Sequence, residues 1–108
     1  MTPIDHGVVL LEPGEGLDPT DLSTYLVPLL QFLHSRKAKR LLYDFGSVPV
    51  IDEVYYTWLI RVHNACYVQG VELVAVNIKP QAAYALSLIL EHKPPFTCVL
   101  DVNRIHEN

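Results

Sequence analysis

Short apolar runs recur along this chain, each separated from the next by a longer segment with helical spacing, and that alternation limits the folds open to it. Gly7-Val8-Val9-Leu10-Leu11, Arg40-Leu41-Leu42-Tyr43-Asp44-Phe45, Glu72-Leu73-Val74-Ala75-Val76 and Phe96-Thr97-Cys98-Val99-Leu100 have the length and side-chain content of buried strands. Turn chemistry at Pro13-Gly14-Glu15-Gly16 ends the first and Gly46-Ser47 ends the second. In the first intervening segment Leu22, Tyr25, Leu26, Leu29 and Leu33 form one helical stripe. Asp18 is read as its N-cap, with Pro19 at the first helical position and Asp21 in the first turn. Pro28 lies inside this helix, where a kink with the ring outward is expected. A second helix runs from Asp52 to about Gln69 and is stopped by Gly70; a third starts at Pro80 and ends near Leu90, before His92-Lys93-Pro94-Pro95. Strands that alternate with helices are joined by crossovers, so the chain is predicted to be α/β, with a mixed, mostly parallel sheet of about four strands and three or four helices. The first strand is the one free to pair antiparallel.

The 108 residues suit one domain, with a core over about residues 7–102 and a polar tail at 103–108. No window of about eighteen apolar residues exists to cross a membrane, and Met1-Thr2-Pro3-Ile4-Asp5-His6-Gly7 has neither the basic start nor the apolar core of a leader, so the expected location is the cytoplasm. Cys66 and Cys98 lack any CxxC or Cys/His spacing and are expected to be reduced, buried thiols. A net charge of −4 argues against nucleic-acid binding. The basic run Arg36-Lys37-Ala38-Lys39-Arg40 falls where a helix ends, and cations there meet the negative end of the macrodipole. His6, His34, His63, His92 and His106 are scattered without ligand spacing, so no metal is expected. The chain has no Gly-rich phosphate loop, no GxSxG elbow and no HExxH, and therefore no cofactor or catalytic constellation is assigned.

The stretch Val50-Ile51-Asp52-Glu53-Val54-Tyr55-Tyr56-Thr57-Trp58-Leu59 places two carboxylates where a strand gives way to the second helix. Adjacent residues on a helix point about 100° apart, which prevents Asp52 and Glu53 from sharing a proton as a dyad. Thr57 lies one turn beyond Glu53 and His63 about three turns beyond Asp52, but no nucleophile, base and orienter come together. On the helical wheel Tyr55, Trp58, Leu59, Val62, Cys66 and Gln69 share the sector expected to pack on the sheet, and Glu53, Thr57, Arg61 and Asn64 lie opposite. Tyr56, Ile60 and Tyr67 border the polar side, an arrangement that suits a protein partner and that burial on two sides would also explain. Asp44, Ser47 and Asn77 stand at carboxyl ends of strands, where open α/β sheets bind small molecules; a nucleotide- or ligand-binding module, or an enzyme, is the competing reading, and loop ordering is the structural one.

The segment from Leu41 through Asp44, Gly46, Ser47 and Ile51 to Asp52, followed by a helix, resembles the STAS domain of anti-sigma-factor antagonists. Gly14-Glu15-Gly16-Leu17-Asp18 is similar to the family's Gly-Glu-Leu-Asp before the first helix, with an extra glycine, and Gly70 through Pro80 matches its third strand and the proline opening the next helix. The resemblance spans about residues 7–102 and is nearest to the small stand-alone scaffolds of the stressosome. It implies a STAS-like fold and a non-enzymatic signalling protein that regulates transcription through protein–protein binding. The implied partners are other STAS proteins or a serine/threonine switch kinase acting as anti-sigma factor, with self-association a further possibility. In that family a kinase phosphorylates the Ser or Thr just after the Asp. Glu53 and Val54 occupy those positions here, so no phosphosite is assigned. Glu53 either imitates the phosphorylated state or serves as a first-turn acid. The resulting docking surface comprises Asp52, Glu53, Tyr56, Thr57 and Ile60.

Overall fold

In the computed structural model, residues 2–13, 18–48, 51–90 and 94–99 are described. Gly14–Leu17 of the first turn motif, Pro49-Val50, the helix stop at His92-Lys93, and Leu100 with residues 101–108 lie outside them.

Five strands make one sheet in sequence order: β1 (Thr2–Asp5), β2 (Val8–Leu11), β3 (Arg40–Asp44), β4 (Glu72–Val76) and β5 (Thr97–Val99). The three helices are α1 (Leu22–Ser35), α2 (Glu53–Val68) and α3 (Pro80–Ile89), one in each crossover. Strands β2 to β5 are parallel. The expected four strands become five because β1 folds back antiparallel on β2 through His6-Gly7, with Gly7 at φ 72° and a bulge between Pro3 and Asp5. This hairpin carries the antiparallel pairing that sequence reading assigned to the first strand, and it moves the start of the ordered fold ahead of residue 7.

Alternation along the strands divides the core. Val9, Leu41, Tyr43, Phe45, Leu73 and Ala75 face one way and pack with the buried residues of all three helices, Leu29 and Leu33 from α1, Trp58, Leu59, Val62 and Cys66 from α2, and Ala82 and Leu86 from α3. Leu42, Val74 and Val76 face the other way with Val8, Leu10 and Val99. Helices on one face of consecutive parallel strands are what right-handed crossovers of one sense produce. All three helices therefore start at the carboxyl end of the sheet.

Three details depart from the sequence reading. The N-cap of α1 is Asp21, whose carboxylate accepts from the Thr24 amide at 3.3 Å; Asp18 instead binds the Thr20 amide and hydroxyl at 2.9 and 2.6 Å, ordering the preceding turn. Pro28 does lie on the exposed side of an unbroken helix. Gln69 is the exposed C-cap of α2 and does not pack on the sheet. Cys66 is buried and its thiol pushed up to about 11 by desolvation, whereas Cys98 lies exposed on the edge strand, which has no neighbour beyond it among the described strands.

Helices α1 and α2 end in the same backbone motif with different residues. At the end of α1 the Ala38 amide donates to Leu33 O at 2.9 Å and Lys37 to His34 O at 3.1 Å. At the end of α2 Val71 donates to Cys66 O at 2.8 Å and Gly70 to Tyr67 O at 3.0 Å. The left-handed position is Lys37 (φ 52°) in one and Gly70 (φ 74°) in the other, and a Cβ at Gly70 would meet no atom within 4 Å. Lysine carries a backbone penalty there that glycine does not. Lys37→Gly is expected to raise the unfolding free energy by about 0.5–1 kcal/mol and Gly70→Ala to lower it by about 1 kcal/mol, read from urea midpoints at unchanged slope.

Candidate functional site

The start of α2 is fixed from below and open above. Ile51 is buried, and Asp52 follows in extended backbone (φ −98°, ψ −177°) as the N-cap. The Asp52 carboxylate accepts the Tyr55 amide at 2.8 Å, and its carbonyl accepts the Tyr56 amide at 2.9 Å. Asp52 thus takes the capping role assigned from sequence.

Beneath this cap lies a polar contact between three aromatic side chains. The Trp58 indole N–H donates to the Tyr43 hydroxyl at 3.0 Å, and the Tyr43 and Tyr55 hydroxyls are hydrogen-bonded at 2.7 Å. Tyr55 stands edge-on to Tyr43 with ring centroids 6.5 Å apart, and Tyr43 lies 4.9 Å from Phe45. Tyr43 sits in the central strand and the other two in the first turns of α2, so the network ties the middle of the sheet to the helix entrance. Desolvation raises the Tyr43 and Tyr55 phenols above their ordinary range, and Tyr43 beside it raises Tyr55 further. Sequence reading placed Tyr55 and Trp58 inward but missed Tyr43. The available signal was its alternation with Leu41 and Phe45 on the helix-facing side, which put a hydroxyl inside the core where it must find a partner.

The outward half of the same turns is different. Glu53 is exposed in the first turn, without an ion pair to any described cation, and Val54 beside it is 49% exposed. Thr57 is exposed, but its hydroxyl donates to Glu53 O at 2.9 Å, turned back onto the helix. Tyr56 and Ile60 are partly buried against the core, with the Tyr56 ring 6.3 Å from Phe96. The five residues named from sequence therefore separate into a cap (Asp52), an outward group (Glu53 and Thr57) and two side chains at the edge of the core (Tyr56 and Ile60).

At the carboxyl ends of β3 and β4 the polar groups are occupied. Asp44 Oδ1 accepts the Gly46 amide at 2.7 Å and the Asn77 side-chain amide at 3.3 Å, and Asn77 is held at φ 58° with its own amide bonded to Val99 O. Ser47 reaches Pro13 O at 3.4 Å across the loops. Loop ordering is what these three side chains do. Among the described residues, one cavity of about 370 Å³, apolar, lies between α3 and β5, and a groove of about 640 Å³ lies at the amino end of the sheet, lined by Lys39, His63, Tyr67, Glu72, Phe96 and Thr97. The basic run does end a helix: Ala38 is buried and Arg40 pairs with Glu72 at 2.9 Å. Among the described residues no three His, Cys, Asp or Glu side chains are grouped to hold a metal ion, and no helix is long and apolar enough to cross a membrane.

No protein-family model and no curated protein sequence matches the chain. Solved structures do. An RsbS protein of Moorella thermoacetica carrying a serine-to-glutamate substitution superposes with a TM-score of 0.78 at 20% identity, over 97% of this chain and 90% of that one. A chain from the molecular architecture of the stressosome, described as a signal integration and transduction hub, gives 0.67 at 20% identity over 93% and 85%. The fold is that of the STAS domain.

Three outcomes follow from the geometry. Asp52→Ala is expected to cost about 1 kcal/mol of stability and Glu53→Ala only a few tenths, about 0.3 kcal/mol, since only the first removes a cap. Tyr43→Phe strands the indole N–H of buried Trp58 and is expected to cost about 1–3 kcal/mol, against about 1 kcal/mol or less for Tyr55→Phe, whose partner keeps the indole. Both phenols keep their protons in the folded chain where the unfolded chain loses them, so stability should fall as pH rises above about 10. Urea titrations across that range should show a shallower fall for Tyr43→Phe.

Proposed function

We propose that this chain is a STAS-type signalling scaffold of the anti-sigma-factor antagonist kind, working in the cytoplasm by binding other STAS proteins or a serine/threonine switch kinase, with no catalysis of its own. The observation that carries the reading is at the α2 entrance. Glu53, with no ion pair among the described residues, and Val54 are exposed, and the nearest hydroxyl on the outward face, Thr57, sits a turn into regular helix and bonds its backbone.

A reversible switch of this family needs a hydroxyl at the helix start to accept phosphate. Glu53 supplies a fixed charge of −1 in its place, where phosphoserine would bring about −1.5 to −2. The Moorella structure carries glutamate in place of a serine, the same change of side chain that the resemblance implies for Glu53. Asp52 holds the helix start, Glu53 provides charge, and the rims of Tyr56 and Ile60 provide contact area. The alternative use of the strand ends for a small ligand or for catalysis finds less support, because Asp44 is engaged with Gly46 and Asn77, and Ser47 with the Pro13 carbonyl.

Incubation with a stressosome switch kinase and radiolabelled ATP tests the reading. The wild-type chain is expected to form a complex without taking up label, and Glu53→Ser to become labelled at the new serine. Labelling of wild-type Thr57 would overturn it.

A further inference from the structure

Helix α3 turns small residues to the sheet and large ones to solvent. Tyr84 and Leu88, four apart and so on one stripe, are each 68% exposed, whereas Ala82 is buried and Ala83 rests on the core. Beside the helix, β5 is a three-residue edge strand with Cys98 at its centre. Ala83 and Ser87 on the helix and Cys98 on the strand line the cavity of about 370 Å³ between them, at positions where larger side chains would fill it. Ile78, Leu86, Leu90, Pro94, Phe96 and Val99 supply the rest of the described wall.

Native interiors leave few voids larger than one water molecule. A dry engineered cavity of about 150 Å³ already binds benzene, and small-molecule sites begin at about 300 Å³. The space between α3 and β5 is therefore of ligand size. Its chemistry restricts the occupant, since no charged side chain lines it among the described residues. The Ser87 hydroxyl donates to Tyr84 O at 2.6 Å, so its proton is already placed. Desolvation pushes the Cys98 thiol up and keeps it neutral, a weak donor at most. A charged ligand would lose hydration here without gaining a counter-ion, whereas an apolar one exchanges water for dispersion contacts.

We propose that the cavity between α3 and β5 is a binding site for a small, uncharged, apolar molecule of one or two fused rings. The site stands apart from the α2 entrance except at Phe96. That buried ring lines the cavity and lies 6.3 Å from the ring of Tyr56, so an occupant sits one side chain away from the entrance.

Indole is a neutral probe of this size, and indole-3-carboxylate and tryptamine carry the same ring with a charge of either sign. Calorimetry on the full chain is expected to show one indole bound per chain, with both charged analogues weaker by about tenfold or more. Cys98 gives a second readout. Cys66 is buried, with its thiol pushed up to about 11, so iodoacetamide reaches exposed Cys98 first. Indole at about ten times its Kd should slow that labelling about tenfold. Ala83→Phe on the helix and Cys98→Phe on the strand, each checked for native circular dichroism, fill the cavity and should abolish indole binding. Leu88→Ser, on the outer stripe of α3, should leave it unchanged. Absence of indole binding by both readouts, equal binding of the charged analogues, binding that survives in both filled variants, or binding lost in Leu88→Ser would each overturn the proposal.

Discussion

Every crossover in this chain leaves a strand at its carboxyl end and returns at its amino end, and three such crossovers lie on one face of the sheet. That constraint puts the three helix starts side by side. It brings the caps Asp21 and Asp52 and the loop-ordering Asp44 to one end, and the end of α1 with its basic run to the other. Acids at helix starts and bases at helix ends are individually favourable with the macrodipole. α1 and α2 start at such acids, whereas α3 starts at Lys79 and neither α2 nor α3 has a base in its last turn.

The entrance to α2 inherits its precision from the centre of the sheet. Tyr43 is the buried hydroxyl of the middle strand, and it is satisfied only because Trp58 and Tyr55 arrive at the right height above it. A register shift of α2 would leave the indole N–H and the phenol unpaired in a dry environment, which is far costlier than the loss of an exposed contact. The inward half of these turns is therefore rigidly specified. Among the described residues the outward half, Glu53, Val54 and Thr57, makes one side-chain hydrogen bond, from Thr57 to its own helix backbone.

Much of this was legible in the residues. The strands at Arg40–Asp44 and Glu72–Val76, the extent of α2, its Asp52 cap and the glycine that ends it follow from periodicity and local chemistry, each of which is settled within a few residues. What was missed depended on distant partners or on competing local choices. The strand at Thr2–Asp5 is short and contains a proline, and it forms because β2 offers it an edge. Asp18 with Pro19 has the form of a helix start, but the Asp18 carboxylate closes a turn on Thr20 and leaves Asp21 to cap. Lys37 stops α1 without a glycine because Ala38 must reach the core. Tyr56 and Ile60 fall at the margin of the helical wheel, and the rings and strands around them determined that they rest on the core rather than stand free.

On the proposed reading, the helix entrance acts by permanent charge rather than by a modifiable hydroxyl. The most direct measurement is calorimetric affinity for a stressosome STAS protein of wild type and Glu53→Gln, which keeps the size of the side chain and removes its charge. Weaker binding by Glu53→Gln, with a difference that vanishes at high salt and an unchanged urea midpoint, is the result predicted. Equal affinity at every ionic strength would contradict it and reduce Glu53 to an ordinary first-turn acid.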